Sequence, residues 1–145
     1  MPDIVIPKEY GYVIATFGAS ALYLFNLGIQ TGLARKAAGV PYPYAYAEKS
    51  EAEKDPKKHI FNCAQRVQQN TLEMFPVYSI FLCIAGIRYP VYASAAGVWW
   101  LLNRIVYSRG YMSGKPEKRA RGVLAYLGLF GLIGMSGSTV YHLLQ

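Results

Sequence analysis

Tyr10-Gly11-Tyr12-Val13-Ile14-Ala15-Thr16-Phe17-Gly18-Ala19-Ser20-Ala21-Leu22-Tyr23-Leu24-Phe25-Asn26-Leu27-Gly28-Ile29-Gln30-Thr31-Gly32-Leu33-Ala34 runs for 25 residues between Glu9 and Arg35 without a formal charge. A helix crosses the hydrocarbon of a bilayer in about 20 residues, so this stretch is long enough to face lipid. A second uncharged stretch, of 24 residues, follows Arg121 to Gln145. The first is no cleavable signal by its pattern: it lacks a clear basic start and a small-residue cleavage site, and it is too long for a signal core. The remaining composition agrees, with 145 residues that are 53% hydrophobic and 16% charged and a mean hydropathy of +0.16. Such a chain is neither a disordered tail, nor a collagen, nor a disulfide scaffold, and its length allows one domain, residues 1–145.

Working outward, Arg35 and Lys36 close the first span with cations that suit both a helix C-terminus and the headgroup layer. Val40-Pro41-Tyr42-Pro43-Tyr44 reads as a stiff aromatic interfacial turn. The run Glu48 to Lys58, with four acids and four lysines, reads as a solvated loop. From His59 a helix begins polar (Asn62, Gln65, Arg66, Gln68, Gln69, Asn70, Glu73) and ends apolar (Met74 to Ile87), so it starts in water and ends in lipid. Pro76 is expected to kink it. Arg88-Tyr89-Pro90 is a very short turn, so the next helix returns antiparallel. A basic loop containing Gly114-Lys115-Pro116 leads to the last span, where Gly128, Gly131, Gly134 and Gly137 recur every three residues and would let a partner helix approach closely. The predicted fold is an all-α integral membrane bundle of four transmembrane helices, at about 10–33, 60–87, 90–111 and 122–144.

Orientation follows from the lysines and arginines. The N-terminal tail and the Arg88 turn carry two, Lys8 and Arg88. The other two loops carry eleven: Arg35, Lys36, Lys49, Lys54, Lys57, Lys58, Arg109, Lys115, Lys118, Arg119 and Arg121. Both basic loops are therefore expected in the cytosol and both termini in the lumen. The net charge of +7 serves this purpose rather than nucleic-acid binding. Cys63 and Cys83 have no framework spacing, and His59 and His142 have no ligand pattern near them, so no metal site is expected.

The chemistry lies on the second and third helices. Arg66, Asn70 and Glu73 step by four and three onto one face. Charges at membrane depth cost about 2.5–3.5 kcal/mol each on insertion scales. Either an internal Arg–Glu bridge that holds helices together or a ligand site explains them. Arg104, Tyr107 and Tyr111 form a matching stripe, as belt anchors or as ligand contacts. With Arg35, Lys36 and Arg119 near the same boundary, the two stripes would make a cationic pocket for an anionic, hydrogen-bonding small molecule. Most of the cations from Lys115 to Arg121 read simply as positive-inside charge. A channel or transporter would want polar residues on several helices, and the first and last offer almost none.

The run Phe61-Asn62-Cys63-Ala64-Gln65-Arg66-Val67-Gln68-Gln69-Asn70-Thr71-Leu72-Glu73-Met74-Phe75-Pro76 resembles the signature helix of the membrane-associated proteins in eicosanoid and glutathione metabolism. Arg104-Ile105-Val106-Tyr107-Ser108-Arg109-Gly110-Tyr111 is similar to the third-helix motif of that family. The segments Pro7-Lys8-Glu9-Tyr10-Gly11-Tyr12 and Gly114-Lys115-Pro116-Glu117-Lys118-Arg119-Ala120-Arg121-Gly122 resemble most its type-3 microsomal glutathione transferase branch. The resemblance covers nearly the whole chain. It implies a homotrimer of four-helix subunits, binding glutathione between neighbours near the cytosolic surface. Arg66, Gln68, Asn70, Glu73, Tyr107 and Tyr111 fall on the family's glutathione-contacting positions, Arg35 on a contact from the first helix, and Arg104 begins the third-helix motif within the same site. The thiolate-stabilising cation maps best to Arg119. Because the spacing after Tyr111 is one residue longer than in the leukotriene C synthases of the family, Lys118 or Arg121 could hold that place. Met74 stands where some relatives carry a ligand-binding tyrosine, so one contact is lost.

The resemblance further implies glutathione as co-substrate without a metal, and lipophilic electrophiles, lipid hydroperoxides or leukotriene-type epoxides as second substrates. The implied membrane is the endoplasmic reticulum, with the mitochondrial outer membrane as the alternative. A non-catalytic lipid-binding or scaffold member is the alternative function, and retention of Arg66, Asn70, Glu73, Tyr107 and Tyr111 argues against it.

Overall fold

The computed structural model describes residues 6–145. The first five, part of the tail that the charge count assigns to the lumen, lie outside the described residues. Every regular element described is helical: α1 (Tyr10–Ala38), α2 (Lys49–Ala52), α3 (Pro56–Arg88), α4 (Pro90–Met112), a 3-10 helix η1 (Pro116–Gly122) and α5 (Ala125–Leu143).

The boundaries have local causes. The helix α1 runs past Leu33, carries Arg35 and Lys36 in its last turn, and stops at Gly39, whose φ of +63° only glycine adopts readily. The helix α3 begins at Pro56, before the expected start. Proline suits a first helical position because its missing N–H has no partner there anyway, and the Asp55 carboxylate caps the turn by accepting the Lys57 N–H at 2.9 Å. The helix α3 continues through Pro76 as one 33-residue element. A single residue, Tyr89, separates it from α4, which again starts on proline. The basic loop is partly ordered as η1, and α5 starts at Ala125, after the expected 122.

Two helices, α1 and α3, are long and apolar enough to cross a membrane, and η1 with α5, bent by 42°, makes a third if the pair is one span. The helix α4 has 23 residues but carries Asn103, Arg104 and Arg109 in its second half, which lowers its apolar character.

The described residues form two compact units. The first comprises the chain up to Ala21, Phe75–Leu102 and Leu124–Gln145. Its core holds Val13, Tyr78, Leu82, Ala85, Ala93, Trp100, Leu129 and Leu132, with the Tyr78 and Trp100 rings stacked at 3.8 Å. Polar groups in this apolar unit find partners inside it: the Tyr78 hydroxyl meets Ser20 Oγ at 2.9 Å, and Ser136 Oγ donates to the Phe81 carbonyl at 2.9 Å. Its outer surface is apolar, with Ile14, Leu127 and Phe130 exposed by 62, 62 and 64%. A water-facing helix would not present such residues in series, and lipid removes the penalty. The glycine repeat on α5 is used at one place in this unit. A Cβ on Gly128 would come within 2.6 Å of the Ala96 carbonyl oxygen, while Gly131, Gly134 and Gly137 face open space.

The second unit comprises Leu22–Met74 and Asn103–Val123. Residues 39–47 fold against α3, whereas the run Glu48 to Lys58 has no buried residue, as befits a solvated segment, and is ordered as α2 and the first turn of α3. Ala38, Val40, Ala47 and Phe61 form a buried cluster. The Asn62 side chain forks onto Ala47, accepting its N–H at 2.8 Å and donating to its carbonyl at 2.9 Å. Lys58 of α3 and Glu51 of α2 pair at 2.9 Å.

Candidate functional site

Every candidate residue of the sequence lies in the second unit. On α4, Arg104 is only 7% exposed. A buried guanidinium is tolerable only when hydrogen-bonded, and its Nη2 donates to Asn70 Oδ1 at 3.0 Å and to Thr71 Oγ1 at 2.6 Å. Its Cζ lies 4.2 Å from the centre of the Tyr107 ring, and Tyr107 meets Tyr111 edge-on at 5.7 Å. One buried cation thus fixes Asn70 on α3 and orients the phenol of Tyr107. Helical spacing predicted the two stripes; Thr71, which joins them, was missed although it adjoins Asn70.

Arg66 and Glu73 lie on the outer part of the same face and touch through one contact of 3.4 Å, with half-exposed side chains. This is the internal bridge that spacing allowed. An exposed pair of this kind is worth at most about 1 kcal/mol, and it uses one of five guanidinium donors, so both groups keep capacity for a ligand.

Two further segments reach this face. Tyr46, from the folded loop, donates its hydroxyl to Gln69 Oε1, within electrostatic reach of Arg66, Tyr111 and Glu73. Burial pushes its phenol above the ordinary value, against the opposing pull of Arg66, so it remains a neutral donor. No periodic signal marks Tyr46 in the sequence. The other segment is η1, packed on Tyr107 so closely that a Cβ on Gly122 would come 2.4 Å from Tyr107 Cβ and 2.9 Å from the Asn103 carbonyl oxygen. Arg119 of η1 is exposed yet lies within electrostatic reach of the Tyr107 phenol, as does Arg66. Lys118 and Arg121 instead line a recess with Arg109.

Arg35 and Gln68 are placed elsewhere. Arg35 sits against the Tyr42 and Phe61 rings, 4.6 and 4.7 Å from their centres, and donates to the Tyr44 carbonyl at 2.6 Å. Gln68 faces α1, where a Cβ on Gly28 would lie 3.1 Å from its Nε2. The structure therefore gathers Arg66, Asn70, Glu73, Arg104, Tyr107, Tyr111 and Arg119, and places Arg35 of α1 against the loop that follows it and Gln68 against Gly28 of α1.

Chemically, the gathered face presents guanidinium groups, phenols and an amide with one carboxylate. It suits a polar ligand with more negative than positive groups. Both cysteines are free thiols, and among the described residues no group of three or more His, Cys, Asp or Glu could hold a metal ion.

Comparison with known proteins fits this picture. The chain is 35% identical over 80 residues to human microsomal glutathione S-transferase 2, covering 50% of this chain and 54% of that protein. It is 36% identical over 69 residues to the mouse protein of the same name, covering 47% of this chain and 46% of that one. The chain thus spans about half the length of the curated relatives it matches. Both carry a type-2 name, whereas the type-3 likeness rests on the motifs at Pro7–Tyr12 and Gly114–Gly122. A model of the MAPEG family matches residues 13–141, nearly the full sequence, and the chain belongs to that family.

Proposed function

We propose that the protein is a membrane-bound glutathione transferase that joins the glutathione thiolate to lipophilic electrophiles and reduces lipid hydroperoxides with the same thiolate. One observation carries the reading: Arg66, Arg104 and Arg119 all lie within electrostatic reach of Tyr107, whose ring meets Tyr111, while Glu73 pairs with Arg66. Glutathione has two carboxylates and one ammonium, and this arrangement matches that charge pattern. Arg66 takes a carboxylate, Glu73 the ammonium, and Asn70, Tyr107 and Tyr111 the peptide groups. Arg104 acts through Asn70 and Tyr107, which it holds.

Arg35 and Gln68, which have other neighbours within the chain, are the complement that a neighbouring subunit would bring. We therefore read the assembly as a homotrimer of single-domain, four-span subunits with the site between them. The basic loops and the site face the cytosol, and the membrane is that of the endoplasmic reticulum.

A thiol near pKa 8.5 is mostly protonated at neutral pH and must ionise to attack. Arg119 favours the anion, each unit of depression corresponding to about 1.4 kcal/mol. With an epoxide, a C–S bond forms, the C–O bond breaks, and the oxygen leaves with the electron pair and takes a proton. With a hydroperoxide, the thiolate takes the terminal oxygen and releases the alcohol. The sulfenic acid then reacts with a second glutathione to give disulfide and water.

The test is the ultraviolet thiolate absorbance of the purified protein on adding glutathione, followed by turnover with an electrophile panel and a lipid hydroperoxide. Thiolate formation with turnover supports the reading. Lipid binding with neither signal would replace it with the scaffold alternative.

A further inference from the structure

Outside the face that carries Tyr107, α4 and η1 border an open recess of about 230 Å³ lined by Val106, Arg109, Gly110, Ser113, Lys118 and Arg121. Positive-inside charge alone would scatter cations through a loop; here the fold gathers them. A Cβ on Gly110 would come 2.8 Å from the Lys118 carbonyl oxygen, so η1 folds back against the last turns of α4 and brings Lys118 and Arg121 beside Arg109. Ser113 Oγ donates to the Gly110 carbonyl at 2.7 Å and braces that turn. Among the described residues none of these three cations forms an ion pair with an acidic side chain. The lining itself is mostly apolar, and the residues that supply it carry three cations of like sign, which favour an anion at this place.

Two features narrow the occupant. The recess is open on one side, so it admits a headgroup whose substituents extend beyond it. Val106, one turn before Arg109 on α4, is 44% exposed and gives the recess an apolar wall. A phosphate that carries acyl chains satisfies cations and apolar wall together. We propose that this recess binds the phosphate of an anionic glycerophospholipid, a function separate from glutathione chemistry and independent of whether Arg119 serves a thiolate.

The full-length protein in detergent, titrated with phosphatidic acid or phosphatidylcholine and read by native mass spectrometry, tests this. Saturable binding of phosphatidic acid in preference to phosphatidylcholine is expected. Arg109→Gln, Lys118→Gln and Arg121→Gln should each weaken it about fivefold, as for a cation near an anionic surface. Lys115→Gln removes the same charge from the same loop but outside the recess, and should change affinity less than about twofold. Equal losses for Lys115→Gln and Arg109→Gln would reduce the effect to diffuse loop charge and overturn the site. Displacement of phosphatidic acid by millimolar inorganic phosphate would assign the recess to free phosphate and overturn the lipid. The wild-type comparison of the two lipids needs no variant, and equal affinity for both overturns the proposal by itself.

Discussion

Replacing Arg104 with methionine tests whether the site is held together from within. Methionine keeps an unbranched chain of similar reach and removes the two hydrogen bonds from Nη2 and the contact with the Tyr107 ring. Hydrogen bonds to charged groups contribute about 1.5–3 kcal/mol each, and a desolvated cation–π contact about 2 kcal/mol. The ceiling is thus about 8 kcal/mol. Thr71 Oγ1 keeps its own bond to the Val67 carbonyl at 2.8 Å, so only a lone pair is orphaned there. Methionine also restores some packing, and the net loss is expected at about 3–5 kcal/mol. A loss of that size lowers Tm by about 10 °C or more. The assay is recovery of the monodisperse species by size-exclusion chromatography after heating, alongside the KM for glutathione. Arg104→Lys, which retains the charge without the planar fork, should fall between wild type and Arg104→Met. A variant that melts like wild type but loses glutathione affinity would refute the reasoning and make Arg104 a direct ligand.

Arg119→Ala should lower kcat and move the pH-rate profile of conjugation to alkaline pH, because loss of a neighbouring cation raises the thiol pKa. Lys118→Ala and Arg121→Ala, on the other recess, should leave that profile in place, and the reverse pattern would transfer the role. Arg66→Ala and Glu73→Ala should raise the KM for glutathione more than they lower kcat at saturation, since contacts at the peptide ends contribute uniform binding; a pure kcat effect would remove that assignment. Gly122→Ala, with its Cβ 2.4 Å from Tyr107 Cβ, should destabilise by about 1–3 kcal/mol, whereas Gly134→Ala, which faces open space, should not; thermal recovery distinguishes them. Asn62→Leu leaves the Ala47 N–H and carbonyl without their side-chain partner, and should open residues 40–55 to limited proteolysis that spares the wild type.

The apolar spans were legible because charge-free length is a local property: the stretch from Tyr10 announces α1 without any knowledge of its neighbours. The stripes of Arg66, Asn70 and Glu73 and of Arg104, Tyr107 and Tyr111 were legible for a similar reason, helical period. What joins elements was not. Tyr46 and Asn62 meet their partners through the segment just before the charged run, and the fork between Asn62 and Ala47 has no periodic signature. Nor does spacing reveal that Gly110 and Gly122 let η1 lie on α4, since that depends on which backbone approaches them. The glycine repeat of α5 showed where a helix can approach but not which member is used within the chain: Gly128 meets a neighbour there, and the regular interval carried no information about that. The place of Arg35 beside Tyr42 and Phe61, apart from Arg66, likewise required the folded loop.

His59 donates from Nε2 to the Gly114 carbonyl at 2.9 Å, and the Cys63 sulfur lies 3.8 Å from the same nitrogen, one helical turn further along α3. Cys63 is 3% exposed, so an alkylating reagent reaches it only when its surroundings part. The chain therefore carries its own chronometer for the packing around this turn of α3. The rate at which Cys63 is alkylated counts the openings of that packing. A bound substrate that slows the labelling has tightened the junction, and one that quickens it has loosened it.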